Sequence, residues 1–155
     1  MTTAPTLVFG WGNPSRGDDA LGPLFVERFA ALTAARSGHE AVECLTDFQL
    51  QVEHALDLKG RARVLFVDAD ARLGAPVALT RIAPATAGGP FSHALSPQAV
   101  MQVFVDVDGH APPPCWLLAI RGEAFELGDG LSPAAAVHLE KALTLARDWL
   151  DAPRT

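Results

Sequence analysis

The sequence predicts an α/β sandwich of three layers, with helices on both faces of a mainly parallel sheet. Strand-like and helix-like segments alternate along the chain in the order β-α-β-α-β-β-α-β-α. Arg63-Val-Leu-Phe-Val-Asp68 is apolar on consecutive positions, as expected of a strand covered on both faces. Two Ser-Pro pairs, Ser96-Pro97 and Ser132-Pro133, offer an N-cap hydroxyl followed by a proline at the first helical position.

Each element has its own signal. Thr6 to Gly10 is a short β-type apolar run, stopped by the turn formers of Gly-Trp-Gly-Asn-Pro-Ser-Arg-Gly. Leu21, Leu24, Phe25, Phe29 and Leu32 then recur at helical spacing, and Pro23 fits only a first turn. The first helix therefore starts near Ala20 to Gly22 and ends before Gly38. Ala41 to Thr46 reads as a second strand, and Leu50 to Leu58 as a short helix stopped by Gly60. After the Arg63–Asp68 strand, Pro76 to Ile82 alternates weakly, as an edge strand does. Ala83 to Leu95 is a loop rich in Gly, Pro and Ala, and the helix capped by Ser96 is expected to run to about Val105. Cys115 to Ile120 is another central strand, and the last helix is expected over Ala134 to Leu150.

The chain has 155 residues, which fits one domain over 1–155. Its net charge is −6, and its ten Arg and two Lys are scattered, so no electrostatic footprint for nucleic acid is present. The longest stretch without a formal charge, Ile82 to Val105, is broken by prolines and glycines and cannot span a membrane as a helix. The start Met-Thr-Thr-Ala-Pro lacks a signal-peptide pattern, so a cytoplasmic protein is expected. Cys44 and Cys115 form neither a redox pair nor a zinc motif and are expected to be buried thiols.

In an open parallel sheet, ligands bind outside the carboxyl ends of the strands. The residues just after the strands are Gly10, Gly12, Asn13, Asp18 and Asp19, then Asp68 and Asp70, with Ser92 and His93 ahead of the third helix. Asp18 and Asp19 adjoin a helix start, where an anion is stabilised, so capping competes with a chemical role. Asp68 closes a buried strand and must be hydrogen-bonded, paired or ligating. Two carboxylates and the His93 imidazole would suit a divalent first-row metal with open positions, or proton handling for an attacking water. His39, His54, His110 and His138 have no partners at ligand spacing and are expected at the surface. Gly10-x-Gly12-x-x-Ser15 lacks the third glycine of a dinucleotide fingerprint, and no Walker-type Lys follows. No Gly-x-Ser-x-Gly elbow occurs, and neither Cys begins a helix near a His.

The run from Gly10 to Gly22, Gly-Trp-Gly-Asn-Pro-Ser-Arg-Gly-Asp-Asp-Ala-Leu-Gly, resembles the opening signature of the hydrogenase maturation proteases. Val67-Asp68-Ala69, Ser92-His93 with Leu95-Ser-Pro97, and Gly130-Leu-Ser-Pro133 resemble that family's later motifs, in the same order and over almost the whole chain. The resemblance implies a mixed five-stranded sheet with one antiparallel strand. It also implies an aspartic-type, nickel-dependent endopeptidase that removes the C-terminal extension of a nickel–iron hydrogenase large-subunit precursor after nickel insertion. By that resemblance Asp19, Asp68 and His93 contact nickel carried by the substrate; a carboxylate, Asp19 or Asp18, is then expected to activate the attacking water. A monomer is the expected state. The Ala83–Leu95 loop and the Pro112–Pro114 turn are candidate client surfaces. Many members carry Glu where this chain has Asp19, and Pro14 and Ser15 replace more apolar residues. The rival readings are a non-cleaving checkpoint or chaperone that binds the nickel-loaded precursor, and a nucleotide-binding domain.

Overall fold

The computed structural model describes residues 3–36, 40–86 and 95–153. Its described elements are β1 (Thr6–Trp11), a 3₁₀ turn (Gly17–Ala20), α1 (Leu21–Ala34), β2 (Val42–Asp47), a 3₁₀ segment (Val52–Leu58), β3 (Arg63–Asp70), β4 (Val77–Ile82), α2 (Pro97–Asp108), β5 (Cys115–Arg121) and α3 (Pro133–Asp151). The strands form one sheet in the order β2-β1-β3-β5-β4. Neighbours are parallel except β4, which runs antiparallel to β5 at the edge. The chain therefore has the mixed, mainly parallel three-layer architecture expected of it.

The pleat sorts the core into two layers. Val8, Leu65, Val67, Leu118 and Ile120 face α1 and α3, where they meet Phe25, Phe29, Leu139 and Leu143. Leu7, Phe9, Val64, Phe66 and Cys115 face the other way, onto the 3₁₀ segment and α2, where they meet Leu58, Val100 and Met101. Phe9, Phe25, Phe29 and Phe66 are almost fully buried, each contributing roughly 1.5–3 kcal/mol of burial.

Local chemistry explains the ends. The hydroxyls of Ser96 and Ser132 accept the backbone N–H of Ala99 and Ala135, at 3.1 and 3.2 Å, as N-caps. α2 runs past Val105 to Asp108, because Gly109 is the first residue that takes the left-handed conformation ending a helix. The expected helix over Leu50–Leu58 is a 3₁₀ segment, short enough that its packing rather than its propensity holds it. Cys115 is buried as expected, whereas Cys44 is only half-buried, since β2 is an edge strand.

β1 leads through α1 to β2 on one side, and β3 returns to pair on the other side of β1. The strand order thus reverses between β1 and β3, and the crevice at their carboxyl ends is where such sheets take ligands. The start of α1 packs on β1 backbone to backbone: a Cβ on Gly22 would lie 2.3 Å from the Trp11 carbonyl oxygen. This contact brings the 3₁₀ turn, with its two aspartates, to the mouth of the crevice.

Candidate active site

Gly12 and Asn13 form the first wall of the site. The Asn13 amide carbonyl accepts the Ser15 N–H at 2.9 Å, so the turn after β1 is shaped by its own side chain. The Asn13 N–H donates to Asp19 Oδ2 at 2.6 Å, and the Asp19 N–H donates to the Arg16 carbonyl at 3.0 Å. Asp19 is half-buried, with its carboxylate held against the Gly12–Asn13 backbone.

Asp18, one residue earlier, is fully buried and points elsewhere. Its Oδ2 accepts the N–H groups of Glu123 and Ala124, at 2.7 and 3.0 Å, and the Ser132 hydroxyl at 2.7 Å. Its Oδ1 accepts the Ser132 N–H at 2.7 Å. Burial raises its carboxyl pKa, but these donors outweigh burial and hold it below the usual carboxylate range. Asp18 thereby ties the 3₁₀ turn to the loop ahead of α3, and both of its oxygens are committed.

Asp68 lies at the end of β3, half-buried, on the face of the sheet that α2 covers, since it continues the row Val64, Phe66. Burial above all pushes its carboxyl up to about 7; the Ala69 backbone N–H opposes this, and the charges of Asp19 and Asp70 add to it. The Asp19 carboxylate is thus close enough to Asp68 at the switch point to disfavour its ionisation. His93 and Ser92 lie outside the described residues. The described chain resumes at Leu95, which packs on the α2-side core directly ahead of the Ser96 cap. Among the described residues, no group of three or more His, Cys, Asp or Glu side chains is placed to hold a metal ion.

Residues that sequence reasoning did not gather share this edge. Register places Asp47 beside Trp11 and Arg121 beside Asp70, on the same face as Asp68. Arg121 forms no ion pair among the described residues. His54 is not at the surface as expected: its ring packs edge-on against Phe9 at 4.6 Å between centroids, and its Nε2 lies 3.1 Å from Asp47 Oδ2. His138 is half-buried on the Arg121 carbonyl, at 2.9 Å, while His110 is exposed as expected; His39 lies outside the described residues. Extending the strand-end rule to β2 would have found Asp47, and its partner sits seven residues on.

The Pro112–Pro114 turn precedes β5, so it lies at the opposite end of the strands from Asp68, beside Arg81 and Pro84 around a cavity of about 330 Å³. Of the Ala83–Leu95 loop, residues 87–94 lie outside the described residues. A groove of about 470 Å³ runs between the 3₁₀ segment and α2, lined by apolar side chains including Leu56 and Val107. No described helix is long and apolar enough to cross a membrane.

No family model and no curated protein matches the sequence. Solved structures do match it. The hydrogenase maturating endopeptidase HybD from E. coli superposes with a TM-score of 0.71 at 25% identity, over 97% of this chain and 92% of that one. An endopeptidase from Escherichia coli solved in solution gives 0.68 at 26% identity, over 94% and 90%. The [NiFe] hydrogenase maturation protease HycI from Thermococcus kodakarensis KOD1 shares the fold, with 0.70 at 23% identity over 96% and 94%.

Proposed function

This chain belongs to the hydrogenase maturation protease family, and on that premise we propose that it is an endopeptidase acting in hydrogenase maturation. In this reading it removes the C-terminal extension of a nickel–iron hydrogenase large-subunit precursor, and the nickel already inserted in that precursor is part of the substrate. The observation that carries the reading is the meeting of Asp19 and Asp68 at the switch point of the sheet, with the Asp68 carboxyl pushed up to about 7. A carboxyl that burial and a neighbouring carboxylate keep from ionising is suited both to a cation brought by the client and to proton transfer.

The roles in this reading are those the family resemblance implies, narrowed by the hydrogen bonds of Asp18 and Asp19. Asp19, Asp68 and His93 approach the client's nickel. Both oxygens of Asp18 are taken by backbone and Ser132 donors, so the base role that the sequence left open between Asp18 and Asp19 goes to Asp19. Its carboxylate takes a proton from the water as the water oxygen bonds to the scissile carbonyl carbon. The carbon–nitrogen bond then breaks, and the leaving amine takes up a proton. Asn13 donates to Asp19 Oδ2, which leaves Oδ1 for the water.

The test is the intact mass of a nickel-loaded precursor large subunit before and after incubation with the protein. Loss of a C-terminal peptide is expected. A stable complex with no loss of mass would overturn the peptidase reading in favour of a checkpoint protein.

A further inference from the structure

The β1–β2 ladder ends at Trp11 and Asp47, and one further rung, the Gly12 N–H donating to the Asp47 carbonyl at 3.1 Å, carries it into the site loop. β2 is an edge strand, and the last rung of an edge strand frays unless something ties it down. His54 ties it. The Gln51 N–H donates to His54 Nδ1 at 2.8 Å, so Nδ1 carries no proton and the ring is the neutral Nε2–H tautomer. That Nε2–H donates to Asp47 Oδ2 at 3.1 Å, while Asp47 Oδ1 accepts the Phe48 N–H at 2.7 Å. The Phe9 ring, buried in the sheet, closes one side of the imidazole.

We propose that His54 is a positioning residue for Asp19: through Asp47 it fixes the rung on which Gly12 hangs, and through Gly12 and Asn13 it sets the Asp19 carboxylate. The links are short and stiff. A Cβ on Gly12 would overlap the Asp19 carbonyl oxygen, so the Gly12 backbone cannot shift toward Asp19 without moving it, and the next N–H holds its Oδ2 at 2.6 Å. Both nitrogens of the ring are engaged, so it takes no part in proton transfer. A displacement of about 1 Å at a reacting group can cost about 100-fold in rate, which is the scale on which such a tie acts.

This inference rests on the peptidase reading, and its test separates the two. His54→Phe keeps the ring packing on Phe9 and removes both nitrogens, whereas His54→Gln keeps a donor near the Nε2 position. With nickel-loaded precursor, His54→Phe is expected to lose kcat by about tenfold or more with KM within about twofold, and His54→Gln to recover most of it. In the free protein, the Asn13 amide proton, deshielded by its short bond to a carboxylate, is expected upfield in His54→Phe and close to wild type in His54→Gln. Long-range ¹H–¹⁵N spectra of His54 are expected to show the Nε2–H tautomer at neutral pH. An Asn13 amide unmoved in His54→Phe, or a His54 proton on Nδ1, would overturn the proposal. Wild-type protein that leaves the precursor intact would overturn the peptidase reading, and the Asn13 and His54 resonances would still decide the positioning role.

Discussion

Gly12 and Asp19 are in backbone contact: a Cβ on Gly12 would lie 1.9 Å from the Asp19 carbonyl oxygen and 3.3 Å from Asp19 Oδ1. Gly12 also holds φ +147°, a conformation that side-chain-bearing residues rarely adopt. Gly12→Ala must therefore strain its own backbone and push the 3₁₀ turn away. A loss of at least about 2 kcal/mol is expected in urea unfolding. Precursor cleavage should fall by more than the remaining folded fraction explains.

Asp18 is expected to act on stability rather than on the reaction alone. Its folded pKa is depressed, so it stabilises the protein above its ordinary pKa of 3.8, and that contribution is lost as pH falls through the folded value. Asp18→Asn turns a fully buried acceptor into one whose amide faces N–H donors, and breaking such charge-assisted bonds costs about 2–4 kcal/mol in all. The urea midpoint of Asp18→Asn should lie well below wild type at pH 7. The gap should narrow once pH falls below about 4.

Asp68 has the opposite sign. Its folded pKa, about 7, is above the ordinary 3.8, so the stability it contributes is complete below 3.8 and is lost as pH rises through 7. Above pH 7 the wild type carries a buried charge that Asp68→Asn lacks. Thermal melts of the free protein should show the advantage of Asp68→Asn growing as pH rises from 4 to 8, reaching about 3 °C or more over wild type at pH 8. Equal offsets at pH 4 and pH 8 would contradict the shifted carboxyl.

Leu56 and Val107 are both more than 70% exposed along the groove between the 3₁₀ segment and α2, away from the carboxylates. Leu56→Ser should therefore leave the melting temperature within about 2 °C of wild type, since exposed side chains contribute little to folding.

The frame of the fold was legible because its signals are local. Ser96-Pro97 and Ser132-Pro133 are caps read from adjacent residues, and each helix begins at its proline. The consecutive apolar run of β3 announced a central strand, and the weak alternation of β4 an edge. What was not legible depends on groups far apart in sequence. The partners of Asp18 lie more than 100 residues on, and three of its four bonds come from backbone N–H groups that no side-chain pattern reports. Arg63 opens β3 yet is buried, because it donates to the Thr6 hydroxyl and to the last carbonyls of α3 at Trp149 and Leu150. His54 reads as a surface histidine because the residues after the strands taken as candidates do not include the one after β2, its partner Asp47. At the site itself, the strand-end rule picks out Asp19 and Asp68, and the structure brings the two together; His93 lies outside the described residues.

In the proposed function Asp19 and Asp68 act together on a client that carries nickel. The most direct test incubates wild type, Asp19→Asn and Asp68→Asn with the precursor large subunit, nickel-loaded and nickel-free, and reads the mass of its C-terminus. Cleavage is expected only by wild type and only of the nickel-loaded precursor, with both variants folded and inactive. Full cleavage by both variants, or equal cleavage of the nickel-free precursor, would contradict it.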